Sequence, residues 1–152
     1  MTKEIAAALA GLLARGDLVA LTGPLGVGKT CFAQGVARGL GIRQNVSSPS
    51  FVLAKHYPAS PGLLHIDAYR LSSAEEFREL GLDEQLQASI AVIEWAEKVS
   101  EALPDERIDV AIAYGEGDER RLEITGRTRR GEEIVARLEQ DLPGEDAEEA
   151  AS

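Results

Sequence analysis

The stretch Leu18–Leu40, LVALTGPLGVGKTCFAQGVARGL, changes character twice. Leu18 to Thr22 are largely apolar and predict a short strand buried on both faces. Gly23-Pro24-Leu25-Gly26-Val27-Gly28 is turn chemistry, and Lys29-Thr30 open a helix whose apolar positions Phe32, Val36 and Leu40 recur every four residues. Strand, glycine-rich turn, Lys-Thr and helix together satisfy G-x-x-x-x-G-K-[ST] in the context that pattern requires. The glycines let the backbone curl so that successive N–H groups point inward, and the helix N-terminus adds the positive end of its dipole. Lys29 is then placed to reach β- and γ-phosphates, and the Thr30 hydroxyl to ligate the magnesium that accompanies them. The stretch predicts a nucleoside-triphosphate site.

Outward from it, 152 residues fit one compact domain, read as residues 1–140 with an acidic tail over 141–152. No apolar run is long enough to span a bilayer. Lys3-Glu4 lead straight into an amphipathic pattern instead of the basic start and apolar stretch of a signal peptide. The one cysteine, Cys31, excludes an internal disulfide and a cysteine-built metal site, so the sequence predicts a cytoplasmic protein. Net charge is −10; six acidic residues fall between Glu139 and Glu149, which leaves the remainder at −4. Such a surface gives no large electrostatic reward for wrapping a polyphosphate backbone. A basic protein partner is the better expectation than direct nucleic-acid binding.

Ile5, Leu9, Leu12 and Leu13 place one apolar stripe on a helix from Lys3 to Ala14, ended by Arg15-Gly16-Asp17. Ile42 to Ser50 is polar, breaks at Ser-Pro and predicts an ordered loop near the nucleotide. Phe51 to His56 and Leu63 to Asp67 are strand-like, and the turn between them is too short for a crossover helix, so they pair antiparallel. Ser72 or Ser73 caps a helix beginning Ala74-Glu75-Glu76, which Gly81 stops; Leu82 to Leu86 is a second short helical piece. Ser89 to Glu94 is a buried strand, followed by a helix near Glu97 to Leu103. Ile108, Val110, Ile112 and Tyr114 alternate on one strand and Leu122 and Ile124 on the next, joined by Gly115-Glu116-Gly117-Asp118. A last helix covers Glu132 to Leu138, and the tail from Pro143 has the composition of a disordered segment. These units predict an α/β P-loop nucleotide-binding fold with a mixed sheet, parallel at its centre and antiparallel at its margins, with helices on both faces.

A phosphate loop needs acidic partners, usually at the C-terminal end of a neighbouring buried strand. Asp67, ending LLHID on a strand expected beside that of the loop, and Glu94, ending SIAVIE, both fit. Either carboxylate alone reads equally well as a helix cap; two beside one phosphate loop favour the functional reading. Ser47, Ser48 and Ser50 offer hydroxyls in a proline-stiffened loop. His65 shares the face of Asp67 and reads as a packed or hydrogen-bonded structural residue, as does His56. Cys31 lacks a histidine partner by spacing, and Trp95 reads as a core or interface residue.

GPLGVGKT, VSSPSF, LHIDAYRL, GLDE and IEWAEK, in this order and spacing, closely resemble the bacterial ATPases of the TsaE (YjeE) family, from Thr2 to about Leu138. The phosphate loop is generic, whereas H-x-D-x-Y-R and I-E-W-x-E together are specific. The resemblance implies a magnesium-dependent ATPase acting in threonylcarbamoyladenosine modification of tRNA, with ATP and Mg²⁺ as cofactors. It implies as partners the two proteins, of TsaD and TsaB type, that transfer the threonylcarbamoyl group to adenosine 37, with tRNA reached only indirectly. It further implies that Gly23, Pro24, Leu25, Gly26, Val27, Gly28, Lys29, Thr30 and Cys31 cradle the nucleotide, with Thr30 and Glu94 on magnesium. By the same resemblance Asp67 stands near the γ-phosphate, with Lys29 as its catalytic companion. Ser48-Pro49-Ser50 matches a switch-like S-P-T, so that Ser50 retains a hydroxyl, and Thr2 and Arg120 fall where the family contacts the nucleotide from outside the loop. Three positions depart from the family: Pro24 for an acidic residue, Val27 for alanine, and Cys31 for a second threonine, which removes a hydroxyl beside the metal ligand.

A small-molecule kinase would share the loop but needs an arginine-bearing lid, for which only Arg127-Thr128-Arg129-Arg130 is available. A guanine-reading switch would carry Asn-Lys-x-Asp, which the chain lacks. A third possibility keeps ATP as a ligand gating a protein contact without significant turnover.

Overall fold

The structure is a computed structural model that describes residues 2–47 and 54–142. Ser48, Pro49, Ser50 and Phe51, and the acidic tail from Pro143, lie outside the described residues. In chain order the elements are α1 (Thr2–Ala10), β1 (Leu18–Thr22), α2 (Lys29–Gly39), β2 (Ala54–Tyr57), β3 (Gly62–Asp67), α3 (Ala74–Glu79), α4 (Asp83–Ala88), β4 (Ser89–Glu94), β5 (Ile108–Tyr114), β6 (Arg120–Gly126) and α5 (Arg129–Asp141). Among the described residues no helix is long and apolar enough to cross a membrane.

The strands form one sheet in the order β2-β3-β4-β1-β5-β6. β3, β4, β1 and β5 run parallel, while β2 on β3 and β6 on β5 are antiparallel, as the short turns at Tyr57–Gly62 and Tyr114–Arg120 require. The expectation that the Asp67 strand lies beside β1 is corrected. β4 occupies that place, because its six residues are all buried and a strand apolar on both faces belongs at the sheet centre. The β3–β4 register sets Asp67 directly opposite Glu94.

One face of the sheet carries α1, α2 and α5 through Ile5, Leu9, Phe32, Val36, Ile134 and Leu138. The other is closed by Phe77 of α3 and by Ala96, Val99 and Leu103. Each fully buried Leu, Ile or Phe on these faces is worth about 1.5–3 kcal/mol of transfer free energy. α1 lies close against α2, because a Cβ on Gly35 would stand 2.6 Å from the Ala6 Cβ and 2.7 Å from the Lys3 carbonyl oxygen.

The larger differences from the sequence reading fall at α1, at the segment after β4 and at α5. α1 stops at Ala10, and the chain tightens through Leu12 N–H to Leu9 O and Leu13 N–H to Ala10 O, since Gly11 weakens helix continuation. The segment near Glu97–Leu103 is two 3-10 turns, Ala96–Lys98 and Ser100–Ala102, instead of one helix. Val99 leaves helical geometry between them (φ −130°, ψ 14°) and is fully buried, while Pro104 bars extension beyond Leu103. α5 begins three residues earlier than its apolar pattern indicates, at Arg129. Its Arg130 forms a forked pair with Asp17, 2.9 and 2.7 Å, that ties the helix start to the residue preceding β1.

Candidate functional site

β1 delivers the chain into the glycine loop hard against β5. A Cβ on Gly23 (φ 145°) would come within 2.4 Å of the Ile112 carbonyl oxygen, so no other residue fits that corner without movement. Gly28 takes a left-handed conformation (φ 117°) at the N-cap of α2 and turns the chain from loop to helix. Lys29, the first residue of α2, folds back under the loop: its Nζ donates to Gly23 O at 2.6 Å and Pro24 O at 2.8 Å. The indole of Trp95 covers the same ammonium, with Nζ 3.8 Å from the ring centroid, and Lys29 is only 5% exposed. Burial lowers the Lys29 pKa from its usual value, while the carboxylates of Glu97, Glu94 and Asp67 pull it back up.

The carboxylates follow from the period of two along a strand. Leu63 of β3, and Ile90 and Val92 of β4, face the core beneath α2, so His65, Asp67 and Glu94 fall on that same face. Thr30 Oγ1 donates to Glu94, 2.9 Å from Oε1 and 3.1 Å from Oε2. On its other side Glu94 Oε2 lies 2.5 Å from His65 Nε2, in a pair almost entirely withdrawn from solvent. Among the described residues His65 Nδ1 has no hydrogen-bond partner, so in the neutral imidazole Nε2 carries the proton and donates to Glu94. Asp67 Oδ1 accepts from the Tyr69 N–H at 2.9 Å, which curls the chain after β3 and leaves the carboxylate on the cleft wall.

A cleft of about 380 Å³ opens between these parts, lined by Leu25, Gly26, Gly28, Lys29, Thr30 and Cys31 from the loop and α2. Asp67, Tyr69, Glu94 and Trp95, at and just beyond the ends of β3 and β4, complete its lining. Trp95 stands at a left-handed φ of 59°, uncommon for a bulky residue, and its ring meets that of Tyr69 at 5.1 Å. The donor set suits a triphosphate with magnesium: one buried ammonium, a glycine-rich backbone at a helix N-terminus, and a hydroxyl with a carboxylate. Among the described residues no group of three His, Cys, Asp or Glu side chains suited to holding a metal occurs. Magnesium needs none, since it keeps most of its waters and takes one or two protein oxygens.

Of the residues marked from sequence, Leu25, Gly26, Gly28, Lys29, Thr30, Cys31, Asp67 and Glu94 come together in this cleft. Gly23, Pro24 and Val27 form the rest of the loop, with Val27 buried beneath it. Thr2 begins α1, whose next residue packs against Gly35 of α2, and is not among the cleft-lining residues. Arg120 touches the loop from outside, its Nε donating to Val27 O at 2.9 Å. Ser50 lies outside the described residues. The arginines considered for a lid are engaged elsewhere: Arg130 with Asp17, Arg127 with Asp109 at 3.8 Å, and Arg129 with Glu133. Asp17 and Asp109 lie at the start of β1 and β5, the end of the sheet opposite the glycine loop. Sequence reasoning missed the contact of His65 with Glu94 and the place of Trp95 over Lys29. The shared face of His65 and Asp67 was the available signal for the first, and the β3–β4 register brings Glu94 to it.

The family model described as "Threonylcarbamoyl adenosine biosynthesis protein TsaE" matches residues 1–122. The tRNA threonylcarbamoyladenosine biosynthesis protein TsaE of Streptomyces coelicolor is 44% identical over 120 residues, covering 76% of this chain and 81% of that protein. Its namesake in Bacillus subtilis is 39% identical over 141 residues, covering 90% and 87%. Among solved structures, the crystal structure of YdiB from Bacillus subtilis superposes with a TM-score of 0.78 at 36% identity, covering 92% of this chain and 88% of that one.

Proposed function

This chain belongs to the TsaE family of threonylcarbamoyl adenosine biosynthesis proteins, and we propose that its part in that process is magnesium-dependent ATP hydrolysis. The observation that carries the reading is the convergence of Lys29, Thr30, Glu94 and Asp67 on one cleft beside a glycine loop. Hydrolysis of a triphosphate asks little covalent chemistry of a protein; positioning and charge stabilisation do most of the work. The loop N–H groups and the Lys29 ammonium take the phosphate oxygens, for which Lys29 exchanges its Gly23 and Pro24 carbonyl partners. Thr30 and Glu94 would hold magnesium, which when bound would supply neutralisation of the phosphate charge. The Asp67 carboxylate accepts a hydrogen bond from the attacking water and orients it toward the γ-phosphorus. Trp95 and Tyr69 line the same cleft, Trp95 over the Lys29 ammonium, and limit access of bulk water.

In this reading hydrolysis drives a turnover step in a threonylcarbamoyl transferase complex of TsaD and TsaB type, and tRNA is met through those partners. The net charge of −10 favours protein docking over direct binding of a nucleic-acid backbone. The test is ATP turnover by the purified chain in magnesium, alone and with the two partner proteins. Slow hydrolysis alone and faster hydrolysis in the complex is the expected result. Phosphate transfer to a small substrate in place of water would replace this reading with a kinase.

A further inference from the structure

The glycine loop is held on its outer side by the β5–β6 hairpin. Tyr114 Oη donates to the Leu25 carbonyl oxygen at 2.8 Å, and Arg120 Nε to the Val27 carbonyl oxygen at 2.9 Å. The two side chains also support each other, the Arg120 guanidinium carbon lying 4.6 Å from the Tyr114 ring centroid. Arg120 is itself fixed by its Nη1, which donates to the Asp118 and Glu119 carbonyls at 3.1 Å each.

The position of these contacts is what matters. A peptide unit is planar and trans, so the carbonyl of one residue and the N–H of the next point in opposite directions. Holding Leu25 C=O outward therefore aims the Gly26 N–H inward, and holding Val27 C=O outward does the same for the Gly28 N–H. Gly26 and Gly28 both line the cleft, and both have positive φ (77° and 117°), where glycine allows the adjoining peptide planes to rotate at little cost. A loop with this freedom needs an external hold if its N–H groups are to be aligned before an anion arrives.

We infer that Tyr114 and Arg120 are positioning residues that pre-align the Gly26 and Gly28 N–H groups for a polyphosphate. Arg120 in this role works through the loop backbone, without touching the base or ribose. The inference rests on the triphosphate reading above and deepens it by assigning the hairpin a part in the same site.

The test is isothermal titration of full-length parent, Tyr114→Phe and Arg120→Lys with MgATP and, separately, with inorganic tripolyphosphate. Tyr114→Phe removes one hydroxyl from a half-exposed ring, and Arg120→Lys keeps the charge but removes the fork. One lost neutral hydrogen bond corresponds to weakening of about three- to tenfold for Tyr114→Phe, with a similar or larger loss for Arg120→Lys. Each variant should lose the same factor for ATP and for tripolyphosphate, and its melting temperature without ligand should match that of the parent. A loss confined to ATP would make these residues base or ribose contacts and overturn the inference, as would unchanged affinity in both variants. Those outcomes leave the ATP reading standing, whereas a parent that binds neither ligand overturns both.

Discussion

Thr30 donates its hydroxyl to Glu94 across 64 residues of sequence, and the bond is nearly symmetric between the two carboxylate oxygens, at 2.9 and 3.1 Å. The end of a buried strand and the first turn of the helix after the glycine loop are thereby brought together on hard oxygen atoms. Glu94→Gln keeps the shape and can still accept one hydrogen bond, but it removes the negative charge that a divalent cation requires. The gain in ATP affinity on adding magnesium should shrink in this variant. Equal magnesium dependence in parent and variant, followed by calorimetry, would remove Glu94 from the metal site.

His65 offers a related test at one remove. Its Nε2 is the second hydrogen-bond partner of Glu94 and the side chain is fully buried, so it fixes the carboxylate without reaching the cleft itself. Loss of a partner that orients a metal ligand typically costs about 10- to 100-fold in metal affinity, and His65→Ala should raise the magnesium half-saturation concentration on that scale. His65→Gln, whose amide N–H can still donate, should recover part of the loss. Equal effects of both substitutions would point to packing alone.

Lys29→Ala should abolish triphosphate binding and leave the fold intact. The side chain belongs to neither apolar core, and its partners are two loop carbonyls and the Trp95 ring. Removing it frees Gly23 O, leaves Pro24 O with only the Val27 N–H, and takes the ammonium off the indole, so intrinsic fluorescence of this single tryptophan should change even without ligand. Parent-like ATP binding by a folded Lys29→Ala protein would end the phosphate-loop assignment.

The legibility of this fold was uneven for physical reasons. β1, the loop and α2 were readable because glycine, Lys-Thr and apolar period coincide within one local unit, and the antiparallel margins because their turns are short. The place of β4 between β1 and β3 was not readable, since strand order depends on packing between distant segments. Val99 shows the same limit locally: an apolar residue at helical spacing was drawn off helical geometry by the core it fills. Asp67 and Glu94 could be marked as strand-ending carboxylates, but Trp95 over Lys29 depends on a left-handed backbone at a non-glycine residue, which no propensity signals.

Gly35→Ala tests the seam between the first two helices. Alanine favours the helix by about 1 kcal/mol, yet its Cβ would stand 2.6–2.8 Å from atoms of Ala6 and Lys3, two of them backbone. α1 must then move away from α2, and overpacking of this kind costs about 1–3 kcal/mol. The clash should prevail, by up to about 2 kcal/mol net, and lower the melting temperature by up to about 8 °C. A rise on thermal unfolding would mean that α1 yields easily and the close approach is incidental.

Asp67→Asn separates binding from catalysis. Asp67 stands opposite Glu94 in the β3–β4 register, lines the cleft, and accepts from the Tyr69 N–H through Oδ1. Asparagine retains a carbonyl oxygen to make that turn bond, so the backbone after β3 should keep its course. Without the charged carboxylate the attacking water loses its orienting acceptor, and hydrolysis should fall by roughly 10²-fold or more with ATP affinity little changed. In the presence of the proposed transferase partners the variant should assemble in ATP and fail to cycle. Single-turnover measurements make the distinction, because they report the chemical step apart from product release. Parent-like turnover in that assay would leave Asp67 as the cap of its own turn and move the search for the water-orienting group to Ser50.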